Sequence, residues 1–447
     1  PCCTGACCKE EKPMVKVITY GTFDLLHEGH IRLLQRARAL GDMLVVGVTA
    51  DGFDLSRGKI NVQQTLVERI EGVRATGLAD QIIVEEYEGQ KIDDIQRLGI
   101  DIFTVGSDWE GQFDYLRPYC RVVYLPRTQG GSSSALRAQS REIALGLVGE
   151  NAILNKFAAE SAWVNGVRLS GICARDTSRL DRALQALPQQ DYDTLLPGCD
   201  AVYIASHPSL HESHVRKALE AGRHVLCESP IALSARACGD LFDLARGRGL
   251  ILADGNKTAY STAYSRLLLL LKTGKIGRVV SVDATCTSLR PGEDRALAWN
   301  SLCAFGPQAL LPVLQLLGTD YVEARSASLL AEDGFDLFTK IDLRYPGAVA
   351  SVKVGKGVKS EGELIVSGTK GYAWVPAPWW KTDYFELRYE NPADNRRYYY
   401  QLDGEGIRYE LVAFLRAIAS GKAPAQIAPQ VSAAICQLTG QSGTPLR

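Results

Sequence analysis

Tyr20-Gly21-Thr22-Phe23-Asp24-Leu25-Leu26-His27-Glu28-Gly29-His30 is the stretch that decides how the front of this chain is read. An alternating apolar run precedes it (Val15, Val17, Ile18), and an apolar stripe follows it (Ile31, Leu33, Leu34, Ala37, Leu40). Two histidines therefore fall where a strand hands over to the start of a helix. Such a place offers unpaired backbone N–H groups and the positive end of the helix dipole, which together hold phosphate. His27 and His30 are three residues apart, so both reach the same side of that helix mouth. Alone, a pair of histidines reads as capping or packing groups. The segments downstream change that reading.

Short apolar runs near Val15–Tyr20, Met43–Val48, Gln81–Val84, Ile102–Val105 and Val122–Leu125 alternate with helical stretches, the pattern of a parallel α/β sheet. In such sheets ligands bind at the carboxyl ends of the strands, where the first motif falls. The pattern restarts near Glu142: Ile143–Gly149 reads as a strand running into a helix, and Ala201–Ser206 and His224–Glu228 continue a second parallel sheet. The expected order is a Cys-rich tail over 1–13, an α/β domain over 14–139, a second Rossmann-like domain over 140–262 and, as the rear half's resemblance to a known family implies, an α+β open-sheet domain over 263–447.

Length and charge agree with this. The chain has 447 residues, enough for two or three cores. Its net charge of −1 gives no electrostatic reason to expect nucleic acid or a membrane surface. The longest apolar run, Leu267 to Leu271, is far short of the ~18–20 residues a membrane span needs. With polar, cysteine-rich first residues in place of a basic-then-apolar leader, the expectation is a cytoplasmic protein with no membrane partner. Of 12 cysteines, Cys2, Cys3, Cys7 and Cys8 crowd the tail, and the rest are scattered as reduced, buried thiols would be. Four thiolates suit zinc, but adjacent cysteines with three residues between the pairs leave little chain for a tetrahedral site. A loose tail and no metal site are expected there.

Four ordered segments resemble the nucleotidyltransferase superfamily with an H-x-G-H motif, and within it the glycerol-3-phosphate cytidylyltransferases. They are the opening stretch, Phe53 to Lys59, Gly106 to Leu116, and Tyr124 to Ser134, all within about Val15 to Arg137. The resemblance implies transfer of CMP from CTP, with Mg2+, to a small phosphorylated alcohol. On it, His27, His30, Lys59 and Arg127 are the catalytic set. Thr22, Phe23, Asp24, Gly29, Asp108, Thr128, Gly130, Ser132, Ser133 and Ser134 bind nucleotide, and Arg57 and Lys91 meet the acceptor. Such a step needs no side-chain nucleophile; positioning and charge stabilisation carry it. The chain departs from the family at Gln129 and Gly131 in the last loop. It also has one inserted residue between Lys59 and Arg69, and Gly77 where the family has an arginine, with Arg74 one turn earlier.

The rest, about Glu142 to Leu446, resembles the glucose-fructose oxidoreductase, inositol dehydrogenase and rhizopine catabolism family. The most specific stretch runs from His207 to Pro230, and Gly274–Val280 and Gly368–Gly371 match later segments. Here the active parts are altered. The dinucleotide turn reads Gly149-Glu150-Asn151-Ala152-Ile153-Leu154, Ala174 replaces the ribose-binding acid, and Arg175 follows it, placed to meet a 2′-phosphate. The family's E-K-P is Glu228-Ser229-Pro230, and its catalytic aspartate and histidine are Ala304 and Gln308. NAD(P) use is therefore doubtful, and a redox-inactive domain serving a homodimer or acceptor recognition is expected. Two other readings stand beside this one: a bifunctional cytidylyltransferase and NAD(P)-dependent oxidoreductase, and a non-enzymatic nucleotide sensor. His207, His211 and His214 fall at helical spacing, where packing is a plainer role than metal binding. Trp379, Trp380 and Tyr398–Tyr400 suit sheet packing or a subunit interface.

Overall fold

The computed structural model describes residues 14–50, 62, 64, 66–87, 89–126, 142–289, 299–400, 402 and 404–440, and the backbone of 444–445. The chain divides into two compact units, Pro1–Ser140 and Arg141–Arg447.

The front unit is a parallel sheet of β1 (Lys16–Gly21), β2 (Met43–Thr49), β3 (Gln81–Glu85), β4 (Ile102–Gly106) and β5 (Arg121–Leu125), in the order β3-β2-β1-β4-β5. Val17, Ile18, Thr19 and Tyr20 are all buried, as a central strand covered on both faces requires. Among the described residues three helices flank the strands: α1 (Glu28–Arg38), α2 (Leu66–Ala75) and α3 (Gln90–Leu98). α1 carries Glu28 in its first turn and Arg36 and Arg38 in its last, matching the helix dipole, and buries Leu34 and Ala37. One apolar cluster lies on each side of the sheet: Phe23, Leu34, Leu44 and Val73 in one, Ile95, Phe103, Phe113 and Leu116 in the other. The strand order reverses between β1 and β4, and that crevice is where such sheets bind ligands.

The rear unit opens with a second five-stranded parallel sheet, of a different strand order. Strands β6 (Ile143–Val148), β7 (Val167–Cys173), β8 (Ala201–Ile204), β9 (His224–Glu228) and β10 (Leu252–Gly255) form a parallel sheet, order β10-β9-β8-β6-β7. Its helices include α4 (Ile153–Ser161), α5 (Pro208–Glu220) and α6 (Ala235–Gly247). Next come α7 (Thr262–Lys272), β11 (Val279–Thr287), α8 (Ser301–Leu317) and the strands β12 (Glu323–Leu330), β13 (Asp336–Arg344), β14 (Val349–Gly355), β15 (Leu364–Gly368), β16 (Gly371–Val375), β17 (Tyr384–Tyr389), β18 (Arg396–Tyr399) and β19 (Thr444–Pro445). These last nine strands make one sheet, antiparallel except where β11 meets β14 and β12 meets β19. Helices α9 (Ile407–Ser420) and α10 (Pro429–Thr439) complete the unit. The parallel sheets and the mixed third sheet are the layout expected from the sequence. No helix among the described residues is long and apolar enough to cross a membrane.

Candidate active site

At the end of β1 the chain turns sharply before α1. Phe23 and Leu25 take positive φ angles of 53° and 47°, which side-chain-bearing residues rarely adopt and which costs roughly 1 kcal/mol or more each. Buried contacts hold the turn in place. Gln64 Oε1 accepts from Leu25 N at 2.7 Å, and Asp24 Oδ1 accepts from Gln64 N at 2.9 Å. Arg69 on α2, buried to 1% exposure, donates from Nη1 to Thr22 O at 2.6 Å and to Thr49 O at 2.8 Å. Its guanidinium thus ties the turn after β1 to the end of β2.

His27 is the N-cap of α1, with extended φ and ψ, and its Nδ1 accepts from Gly29 N at 3.1 Å. A neutral ring in that role carries its proton on Nε2, as a donor. The His27 and His30 rings stack with centroids 3.9 Å apart, and Phe23 meets His30 edge-on at 5.5 Å. Thr22, Phe23, Asp24, His27, Gly29 and His30 are therefore brought together at one helix mouth, beside the crevice between β1 and β4. Asp108, exposed in the short turn Ser107–Trp109, follows β4 on the other side of that crevice.

Lys91 sits lower. Its ammonium pairs with the buried Glu85 at the end of β3 and lies 4.6 Å above the Tyr20 ring. Tyr20 hydroxyl donates to Asp94 at 2.9 Å, and burial, then Asp94, pushes it well above the usual tyrosine range. Arg57, Lys59, Arg127, Thr128, Gly130, Ser132, Ser133 and Ser134 lie outside the described residues. Sequence reading passed over Arg69 and Gln64 as site residues. Their partners are 47 and 39 positions away, and no local pattern marks them.

The corresponding mouth of the rear unit is built differently. Gly149 follows β6 with φ 124°, and a side chain there would come within 2.4 Å of Ala205 O, so the close approach of the two loops needs glycine. Asn151 Oδ1 accepts from Ile153 N at 3.0 Å, taking one of the amides that a pyrophosphate would use at the start of α4. Glu150 Oε1 accepts from Arg175 N at 2.8 Å and Nε at 3.1 Å. A cavity of about 520 Å³ opens here, lined among others by Gly149, Ala174, Arg175, Gln190, Tyr192 and His214.

Ser229 is buried between Glu228 and Pro230. Ala304 and Gln308 lie one turn apart on α8. Burial pushes the Glu228 carboxyl up to about 7, although Tyr203 hydroxyl donates to it and Lys257 lies near. Burial likewise raises Asp254 to about 6. The three histidines have structural partners. His207 caps α5, His214 Nδ1 lies 2.9 Å from Ser206 Oγ, and the buried His211 spans Pro230 O at 2.7 Å and Ser206 O at 2.8 Å. Among the described residues no group of three His, Cys, Asp or Glu is placed to hold a metal. Trp379 is buried against Tyr264 and Trp380, and Tyr398 stacks on Phe385.

Comparison with known proteins assigns the two halves separately. Residues 18–145 match the family model described as cytidylyltransferase-like, and residues 143–255 match that of an oxidoreductase family with an NAD-binding Rossmann fold. The glycerol-3-phosphate cytidylyltransferase of Bacillus spizizenii is 47% identical over 124 residues, 28% of this chain and 95% of that one. The trans-1,2-dihydrobenzene-1,2-diol dehydrogenase of Bos taurus is 27% identical over 278 residues, 58% of this chain and 83% of its own length. A 3-ketoreductase from Actinomadura kijaniata, solved with NADP and TDP-benzene, superposes with a TM-score of 0.60 at 20% identity. It covers 69% of this chain and 100% of its own, a likeness of fold. The front and rear units are thus matched by separate relatives, and through its front unit the chain belongs to the cytidylyltransferase-like family of nucleotidyltransferase enzymes, here joined to an oxidoreductase-family Rossmann domain.

Proposed function

We propose that the front unit transfers CMP from CTP to a small phosphorylated alcohol, glycerol-3-phosphate or a close relative, releasing pyrophosphate. The observation that carries this reading is the stacked pair His27 and His30 at the N-terminus of α1, beside the crevice between β1 and β4. An acceptor phosphate oxygen attacks the α-phosphorus of CTP in line, one P–O bond forms, and the bond to pyrophosphate breaks. His27 and His30 donate hydrogen bonds to the α-phosphate and the bridging oxygen as negative charge develops there. Lys59 and Arg127 neutralise the triphosphate, the hydroxyls and amides of Thr128 to Ser134 cradle it, and Arg57 and Lys91 face the acceptor. Mg2+ would enter with CTP and offset phosphate charge; the exposed Asp108 carboxylate is the kind of hard oxygen donor it takes.

For the rear unit the residues fit the adenosine end of a dinucleotide, through the cavity and Arg175, and fit its pyrophosphate end poorly, through Asn151 and Glu150. With Ser229, Ala304 and Gln308 at the proton-transfer positions, we read it as an NAD(P)-binding-type domain without turnover, serving acceptor recognition or assembly. Two further parts of this reading are a cytoplasmic location and a homodimer. Cys120, Cys173, Cys199, Cys227, Cys238, Cys286, Cys303 and Cys436 are all free thiols, which suits a reducing compartment. Asp283, Ser351, Asp342 and Arg325 form one row of mixed charge across the nine-stranded sheet, a surface able to face its own copy.

The test is CTP-dependent pyrophosphate release with glycerol-3-phosphate, ribitol phosphate and erythritol phosphate as acceptors. Turnover with one of them is expected. CTP that neither binds nor turns over with any acceptor overturns the reading.

A further inference from the structure

In the rear unit, three ammonium groups from separate elements close on one carboxylate. Lys156 lies on α4, Lys257 follows β10, and Lys381 ends the short turn Trp379–Lys381. Lys156 Nζ is 3.0 Å from Glu405 Oε1, Lys257 Nζ is 3.3 Å from Oε2, and Lys381 Nζ contacts that same oxygen. Burial opposes the charge on Glu405, yet hydrogen bonds from Lys381 and Lys156, with the nearby Lys257, hold it down at about 2. Lys381 is held below the usual lysine range by burial and by Lys257 and Lys156, even with Glu405 pulling the other way.

Neighbouring acids do little to balance these cations. Glu160 is engaged with Arg408 and the backbone at the start of α9. Near Lys257, Glu410 is buried and Glu228 half-buried, and burial favours the neutral form of each. The chain is bent to deliver Glu405. Gly404 and Gly406 on either side of it have φ angles of 61° and 83°, and a side chain on Gly404 would come within 2.2 Å of Glu160. Next to the lysines a narrow cleft is lined by Tyr264, Trp379, Trp380, Lys381, Phe385 and Leu402, with room for about one water (≈ 10 Å³). Leu402 and Glu405 belong to the same short segment.

We propose that Lys156, Lys257 and Lys381 form a binding site for a phosphate monoester, with Glu405 acting as an internal competitor that occupies it. A phosphate brings a charge of about −1.5 to −2 and three acceptor oxygens, matching three ammonium donors better than one carboxylate does. The aromatic cleft beside it holds about one water as it stands, so the organic part of such a ligand enters only as the segment carrying Leu402 and Glu405 moves aside. Inorganic phosphate and a phosphorylated polyol share this chemistry, and the test separates them.

The experiment is thermal unfolding of the full chain carrying Glu405→Gln, in sodium phosphate and in sodium chloride at equal ionic strength, and with added glycerol-3-phosphate. No CTP is present, so the result is independent of cytidylyl transfer. The variant is expected to melt below wild type in chloride and to gain more from phosphate than wild type does, with an apparent affinity about ten-fold tighter. Adding Lys381→Ala removes that extra gain. In the part of the gain that Lys381→Ala removes, which excludes binding at the front unit, higher potency of glycerol-3-phosphate identifies an ester as the ligand and equal potency identifies free phosphate; both support the site. Equal responses of Glu405→Gln to phosphate and chloride overturn it. If that variant does not fold, Lys381→Ala alone is compared with wild type: a reduced response to phosphate supports the site, and an undiminished one overturns it.

Discussion

The two parallel sheets of this chain differ in strand order, β3-β2-β1-β4-β5 in front and β10-β9-β8-β6-β7 behind, but each reverses beside its first strand, and the mouths there are finished in opposite ways. In front, the helix that follows the first strand opens on two stacked histidines and is capped by His27. Behind, Asn151 accepts from Ile153 N at the start of the helix, Glu150 holds Arg175, and serine stands where the resemblance implies lysine. The topology supplies a place for a nucleotide in both cases. What is done there depends on a few side chains just beyond the strand ends.

That contrast can be broken or sharpened by measurement. The largest effect is expected at the front mouth. His30→Ala should lower CTP-dependent turnover by about 10²–10⁴-fold with the fold intact by circular dichroism; unchanged turnover would remove the histidine pair from the chemistry. Arg69→Met comes next. It leaves Thr22 O and Thr49 O without their buried cationic donor, and a loss of about 3 kcal/mol in stability is expected from denaturant unfolding, with turnover falling as the histidines lose their support.

At the rear mouth the expected signature is pH dependence. The folded Glu228 keeps its proton up to about 7, whereas in the unfolded chain it loses it near the ordinary value of 4.5. Its contribution is therefore complete below the unfolded value and is lost as pH rises through the folded one. Asp254, raised to about 6, acts in the same sense, and His211, pushed down to about 4 by burial, acts in the opposite sense. The measurement is thus the difference between wild type and Glu228→Gln in melting temperature from pH 4.5 to 7.5. Relative to the variant, wild type should lose stability across that range, and parallel curves would show that Glu228 keeps an ordinary pKa. The smallest effect belongs to the exposed Arg175. If the cavity takes a dinucleotide, Arg175→Ala should weaken NADPH by about ten-fold while leaving NADH unchanged, read by fluorescence titration.

Much of the front unit was legible because strand, turn and helix are continuous in sequence there. The five expected strands fall within a residue of β1 to β5, and the histidine pair lies where the pattern placed it. Arg69 was not legible as a site residue, since a buried arginine on a helix reads as a surface charge until its two carbonyl partners are seen. The pairing of Lys91 with Glu85 is hidden for a related reason, because β3 and α3 meet only in the folded unit. The lysine cluster around Glu405 goes further still, drawing on four segments between positions 156 and 405. Local chemistry can be read from neighbouring residues, but electrostatics assembled by topology cannot.

The left-handed turn at Phe23 and Leu25 has a consequence for how nucleotide is received. Its cost is met when the chain folds, by the Arg69 and Gln64 contacts, and not when CTP arrives. The two imidazoles therefore wait in place, and little of the binding free energy is spent on ordering this part of the mouth.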